Sequence, residues 1–228
     1  MKSDMDWNFS PPQGTSPEVE AKMMNWCRRL APLAHADESL ARVLYEGLCY
    51  GINCGGEHLQ PMAVMPIPND RFHWVRGPGL DDGAEFREAF AKLVALHVVA
   101  EGAAAAAIIC KAKTAGRLML PGERPNLQAD RAECVVICAE GRMGTPVDML
   151  LRIIGGHTVP PPIVALDGEQ TVLGFGRFVS RLAPSPAERA AAQALLKQLA
   201  VGDKRFEGTP QDMAKIAAYN PSAKPPQW

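Results

Sequence analysis

The sequence predicts an α+β protein: a mainly antiparallel sheet packed against a central helix, with an N-terminal helical hairpin and C-terminal helices. Three observations predict it. Phe86, Phe90, Leu93, Val94 and Val98 repeat with a period near 3.6 and mark the central helix. The run Cys134-Val135-Val136-Ile137-Cys138-Ala139 is short and apolar throughout, the pattern of a strand buried on both faces. Val147, Met149, Leu151 and Ile153 then alternate with Asp148 and Arg152, so the next strand should pair antiparallel with the last and form the centre of the sheet.

The chain has 228 residues, 47% of them apolar, which suits one large domain around a single core better than two equal domains. That domain is expected over residues 16–219, between a loose arm at 1–15 and an extended, proline-rich tail at 220–228. Within it the composition marks a helical hairpin (16–53), a Pro/Gly-rich loop region (54–80), a helix and sheet core (81–182) and C-terminal helices (183–219).

Taken in order, Ser16-Pro17 reads as an N-cap with proline in the first helical position, followed by Val19, Met23, Trp26, Cys27 and Leu30 at helical spacing. Pro32 closes that helix. A second starts after Asp37 and places Leu40, Val43, Leu44 and Leu48 on one stripe. Glycines and prolines from Gly55 to Gly79 leave room only for short strands, at 63–65 and 72–75. Asp81-Asp82 then caps the central helix.

The segment 103–110 could continue that helix, since alanine is the best helix former. A break at Gly102 and a strand from about Ala104 are favoured, because an unbroken helix over 85–113 would far exceed the usual dozen or so residues. Arg142 to Thr145 reads as a turn. Gly155-Gly156 and Pro160-Pro161-Pro162 frame a loop around His157, and Asp167-Gly168 turns a second hairpin between 163–166 and 171–179. Ser185-Pro186-Ala187-Glu188 is a capping box, and Thr209-Pro210 opens a last short helix.

The formal net charge is −1, which offers no basic excess to drive binding to a phosphate backbone, so nucleic acid is disfavoured as a partner. No apolar run approaches the length of a membrane span, and the N-terminus has no signal-peptide pattern, so no membrane partner and a cytoplasmic location are expected. Six cysteines in a chain of this length, several within apolar runs, suit reduced and buried thiols. No cofactor is expected.

The candidates for chemistry are few. Cys49, Cys54 and His58, with His73 or His35 as a fourth ligand, have donor types that suit zinc, but their spacing is looser than the Cys-x2–4-Cys pairs of structural sites and the second pair is missing. The plainer reading puts Cys49 on the core face of the second helix and the others in a loop. His97 and Glu101 lie four apart and share a helix face, a spacing that can hold a metal or relay a proton, or simply make a surface hydrogen bond. Cys134 and Cys138 read as small core residues on one strand face. Cys27 beside Arg28-Arg29 could have a lowered pKa, or mark a helix boundary. Gly174-Phe175-Gly176 lacks the third glycine and the helix of a phosphate loop.

An enzyme can be assembled from Glu101, Asp130 and Glu133 as carboxylates near the start of the central strands, with His97 or His157. The helix–strand–strand–strand–helix order is similar to that of metal-dependent nucleases of the restriction-endonuclease-like class, which hold magnesium with such acids. This sequence departs from that pattern: 103–110 carries no acid, and the strand from Glu133 has no Glu-x-Lys. Asp130, Arg131 and Glu133 also make a candidate binding spot at a strand entrance, or a solvated turn.

The helix ending in Glu101-Gly102, the strand after it, and Asp130-Arg131-Ala132-Glu133 leading into Cys134-Val135-Val136-Ile137 resemble a pattern in small bacterial and phage-associated proteins. The resemblance covers about a quarter of the chain. It implies a bacterial or mobile-element origin and nothing about mechanism. Because these residues assemble no active site and the loops are proline-rich, the expected function is non-catalytic, through a protein partner or self-association as a homo-oligomer, with the aromatic tails (Trp7, Phe9, Trp228) as docking elements. The alternative is a metal-dependent nuclease or other hydrolase.

Overall fold

In the computed structural model, residues 14–33, 38–54, 59–77, 84–113, 133–143, 146–165, 177–199 and 215 are described. The elements are α1 (Pro17–Leu33), α2 (Glu38–Cys54), β1 (Met62–Ile67), β2 (Arg71–Arg76), α3 (Ala84–Glu101), β3 (Ala105–Lys113), β4 (Glu133–Gly141), β5 (Val147–Ile154), β6 (His157–Ala165) and α4 (Pro186–Leu199). The class is α+β. All six strands join one antiparallel sheet in the order β2-β1-β3-β4-β5-β6. Its centre is β3–β4 rather than the expected β4–β5.

Both faces of that centre are buried, so the single expected core is divided in two by the sheet. Ala105, Ala107 and Ile109 of β3 and Val135, Ile137 and Ala139 of β4 face α2. The alternate residues Ala106, Ile108 and Cys110, with Cys134, Val136 and Cys138, face α3. The layer order is α1 and α2, then the sheet, then α3 and α4; α3 turns Phe90, Leu93, Val94 and Val98 to the sheet and Leu96, Val99 and Ala100 to α4. The sheet is thus packed against helices on both sides, and the expected central helix is one of two.

Glycines set how closely α2 lies. A Cβ added at Gly47 would stand 2.8 Å from Cγ2 of Ile137, and one at Gly51 would stand 3.1 Å from Cδ1 of Leu151. The helix backbone therefore rests directly on the side chains of β4 and β5. Arg42 fixes the opposite end, donating from Nη1 to Asp70 Oδ1 at 3.0 Å while its guanidinium lies 5.1 Å from the centre of the Phe72 ring. Asn69 and Asp70, with φ of 67° and 55°, supply the left-handed turn that joins β1 to β2.

The break between α3 and β3 falls at Gly102, where φ is +71°. Gly102 N–H donates to Val99 O at 3.1 Å and Ala103 N–H to Val98 O at 3.0 Å, the pair of bonds that closes a helix through a left-handed glycine. The remaining carbonyls at this helix end are taken by side chains from elsewhere. Arg142 Nη2 donates to Gly102 O and Ala103 O, both at 3.0 Å, and Gln193 Nε2 to Ala100 O at 3.1 Å. Arg189 reaches Ala100 O and Glu101 O at 3.5 and 3.3 Å. Gln193 and Arg189 thus satisfy carbonyls that helix geometry leaves open, and Arg142 holds the two carbonyls just beyond the helix.

α4 opens on the expected capping box, with Glu188 N–H donating to Ser185 Oγ at 3.2 Å and Ser185 N–H to Glu188 Oε2 at 2.7 Å. The hairpin prediction after β5 is corrected. Gly155 and Gly156, with φ of 58° and 82°, turn the chain directly into β6, pairing Ile154 with His157. The expected loop is an edge strand. From Leu150 to Arg152 β5 advances two residues while its partners on β6, Ile163 and Val159, are four apart, so Pro160, Pro161 and Pro162 lie in a bulge where missing N–H donors cost least. The Asp167-Gly168 turn, residues 1–13 of the arm, the tail and most of the last expected helix lie outside the described residues; Lys215 is helical. No helix among the described residues is long and apolar enough to cross a membrane.

Two substitutions test this packing. Gly47→Ala should destabilise by roughly 1–3 kcal/mol, because overpacking against Ile137 outweighs the gain in helix propensity of about 1 kcal/mol. Gly102→Ala should cost about 1–2 kcal/mol through its left-handed backbone alone. Urea unfolding followed by circular dichroism measures both.

Candidate functional site

The residues that chemistry could use are regrouped by the fold. His73 lies on edge strand β2, opposite Met65 of β1, on the sheet face that α3 covers. His97 lies on α3, and its Nδ1 stands 3.1 Å from Nε2 of His73, with ring centres 4.9 Å apart and planes tilted by 33°. The expected surface hydrogen bond between His97 and Glu101 is replaced by a largely buried histidine pair. Burial, with a smaller contribution from the neighbouring His73, pushes the His97 pKa down to about 3. Burial also lowers that of His73, against the opposing pull of the Glu101 carboxylate. Burial thus disfavours the charged form of both rings, and the Glu101 charge opposes this at His73.

The thiol set is dispersed. Cys49 is buried against the other face of the sheet, among the α2 core residues with Cys27 and Tyr45, while Cys54, five residues on, is half-buried beside Tyr50. Five residues turn a helix by about 140° beyond a full circle, so the two sulfurs diverge. His58 lies outside the described residues. Burial and nearby negative charge push the Cys49 thiol up to about 12. Cys27 is likewise pushed up to about 12 by burial, the reverse of the activated thiol that Arg28-Arg29 suggested; Arg28 instead donates to Glu38 at 2.9 Å on the surface. Cys134 and Cys138 are core residues facing α3.

The carboxylates do not gather. Glu133 pairs in register with Lys113 at the far end of β3 and forms an ion pair with Lys111 at 2.9 Å. Glu101 precedes the other end of that strand, roughly 25 Å away along nine residues. Asp130 and Arg131 lie outside the described residues. His157 is exposed at the start of β6, on the opposite edge of the sheet from His73. Among the described residues no group of three or more His, Cys, Asp or Glu side chains is placed to hold a metal ion.

Two buried acids were missed in the sequence. Glu140 is 1% exposed and Asp148 2% exposed, both on the sheet face toward α3. Asp148 alternates with Val147 and Met149, which reads as a solvated face in sequence; the second core covers that face instead. Glu140 Oε2 accepts from the N–H groups of Phe178 and Val179, both at 3.0 Å. Burial raises the Glu140 pKa, opposed by those two bonds and by Arg177. Arg177 Nη2 donates to Gly141 O and Arg142 O at 3.2 and 3.4 Å, so the acid and the arginine together clamp 177–179 onto the end of β4. An acid closing an apolar run just before a glycine is the signal that could have found Glu140.

No protein-family model matches the chain, and no curated protein or solved structure matches it significantly.

The histidine pair makes acid sensitivity testable. A base whose folded pKa lies below its unfolded value of 6.5 contributes stability that is complete above pH 6.5 and lost as pH falls toward 3. Urea midpoints measured in chelator should therefore fall over that window, and His97→Gln should show a shallower fall. Equal slopes for the two proteins would remove His97 as a cause.

Proposed function

We propose that the protein is non-catalytic and cytoplasmic and acts by binding a protein partner, a second copy of the chain included. The observation that carries the reading is the use of the ionisable side chains near the end of β4, of which Glu140 is buried. Glu140, Arg142 and Arg177 hold backbone groups of neighbouring segments, and Arg189 holds the end of α3. These are the bonds of a rigid scaffold. They also join segment 141–143 to the segment after Arg177, and each of those segments carries an apolar side chain into solvent: Met143 is 67% exposed and Leu182 79% exposed. Large apolar groups held outward by a fixed frame favour docking, since the partner gains their burial without the cost of ordering them. Met143 adds an adaptable, polarisable surface.

Sedimentation velocity over a wide concentration range tests the reading. Self-association is expected, and Met143→Asp with Leu182→Asp should weaken it at least about tenfold, the effect of about 1.4 kcal/mol, without changing the far-ultraviolet circular dichroism. A wild-type chain that stays monomeric at every concentration removes the self-associating form. Magnesium-dependent cleavage of DNA, abolished by Glu101→Gln or Glu133→Gln, would overturn the non-catalytic reading itself.

A further inference from the structure

We infer that the outer edge of β2 docks a second copy of the chain, pairing antiparallel with that copy's β2 about a two-fold axis at His73, so that two six-stranded sheets become one. This surface is separate from the one around Met143 and Leu182 and does not rest on it.

β2 pairs with β1 over its whole length and, among the described residues, with no other strand. The ladder to β1 fixes which of its backbone groups remain for a partner. Gly77 N–H donates to Pro61 O at 2.8 Å, and Pro66, opposite Phe72, has no N–H to give. Hydrogen-bonded pairs alternate along an antiparallel ladder, so Arg71, His73 and Val75 turn their N–H and C=O groups to β1. Phe72 and Trp74 turn theirs outward. Backbone groups presented in this way are a template for a further strand.

The edge is complementary to itself. A two-fold axis perpendicular to the sheet at His73 keeps each face on its own side and sets Phe72 opposite Trp74 of the second copy, Arg71 opposite its Val75, and the turn residue Asp70 opposite its Arg76. Phe72 and Trp74 stand on the face toward α2, half-buried and held by Arg42 and Tyr50, so they meet as ordered cross-strand aromatic pairs. Their outward backbone groups exchange about four hydrogen bonds in this register. The ends match in charge. Asp70 accepts from Arg42 through Oδ1 yet its side chain is 91% exposed, and Arg76 forms no ion pair among the described residues. Arginines usually guard a sheet edge by meeting like charges. Here the pairing sets neither Arg71 nor Arg76 opposite a cation, which is what makes a second copy the partner that fits.

Sedimentation equilibrium of the Met143→Asp/Leu182→Asp chain isolates this surface from the other, and a dimer that dissociates on dilution is expected. Arg76→Glu added to that chain sets acid against acid, and Asp70→Lys added to it sets cation against cation, so each should weaken dimerisation about tenfold or more. Mixed one to one, the two variants should associate within about threefold of the parent affinity, because both ends of the pair then join opposite charges. A parent chain that stays monomeric overturns the pairing, leaving the edge to a strand of a different protein and docking through Met143 and Leu182 untouched. Variants that dimerise as tightly as the parent, or a mixture no tighter than its components, overturn it as well. Should a variant lose its far-ultraviolet circular dichroism, amide exchange in the parent chain decides: the Phe72 and Trp74 amides must slow as concentration rises, and unchanged rates overturn the assignment.

Discussion

The structure depends on a strand pair that is apolar on both faces. β3 and β4 alternate no polar residue outward along their central stretch: Ala105 to Cys110 and Cys134 to Ala139 are all buried. Leaving either face in water would forfeit about 1.5–3 kcal/mol for each large apolar side chain exposed. Two helical layers follow from this. On one side α2 meets the sheet through Gly47 and Gly51, so closely that backbone rather than side chain forms the contact surface. On the other, α3 lies across β1 and β3, with α4 behind it.

That double burial also explains the polar clamps. α3 runs directly into β3 through Gly102, so its C-terminal carbonyls end near the buried end of a sheet instead of in water. Arg142, Arg189 and Gln193 supply donors from β4's end and from α4, and cations there also complement the negative end of the helix. Gly102 is doubly constrained, by its left-handed φ and by Arg189, whose guanidinium carbon would stand 3.2 Å from an added Cβ. Glu140 performs the complementary task for unpaired N–H groups of Phe178 and Val179. Burying charge is tolerated here because each ion meets several backbone groups of the opposite polarity.

Much of the fold was legible in local pattern. The capping box before α4, the glycine that closes α3 and the two-sided burial of β4 are signals written within a few residues of each other, and each element formed where its signal stands. The exceptions share one cause. Gly155-Gly156 was outweighed by the three prolines after it, because the tolerance of prolines depends on β6 being an edge strand, and strand order is not a local property. The alternation around Asp148 gave an antiparallel strand correctly but left its environment open, since a polar residue facing a second core looks the same in sequence as one facing water.

The candidate site was legible only in fragments. His97 and Glu101 are linked by helical spacing, but His73 belonged in sequence to a different grouping with Cys49 and Cys54. The sequence by itself determined the α+β class, most element boundaries and which faces are apolar, because these follow from backbone propensity, capping and periodicity over short windows. Only the tertiary structure decided that His73 meets His97, that Glu101 and Glu133 stand apart, and that Glu140 and Asp148 are buried. Those facts depend on which strand becomes an edge and which helix covers which face, and that choice is made by packing between segments distant in the chain.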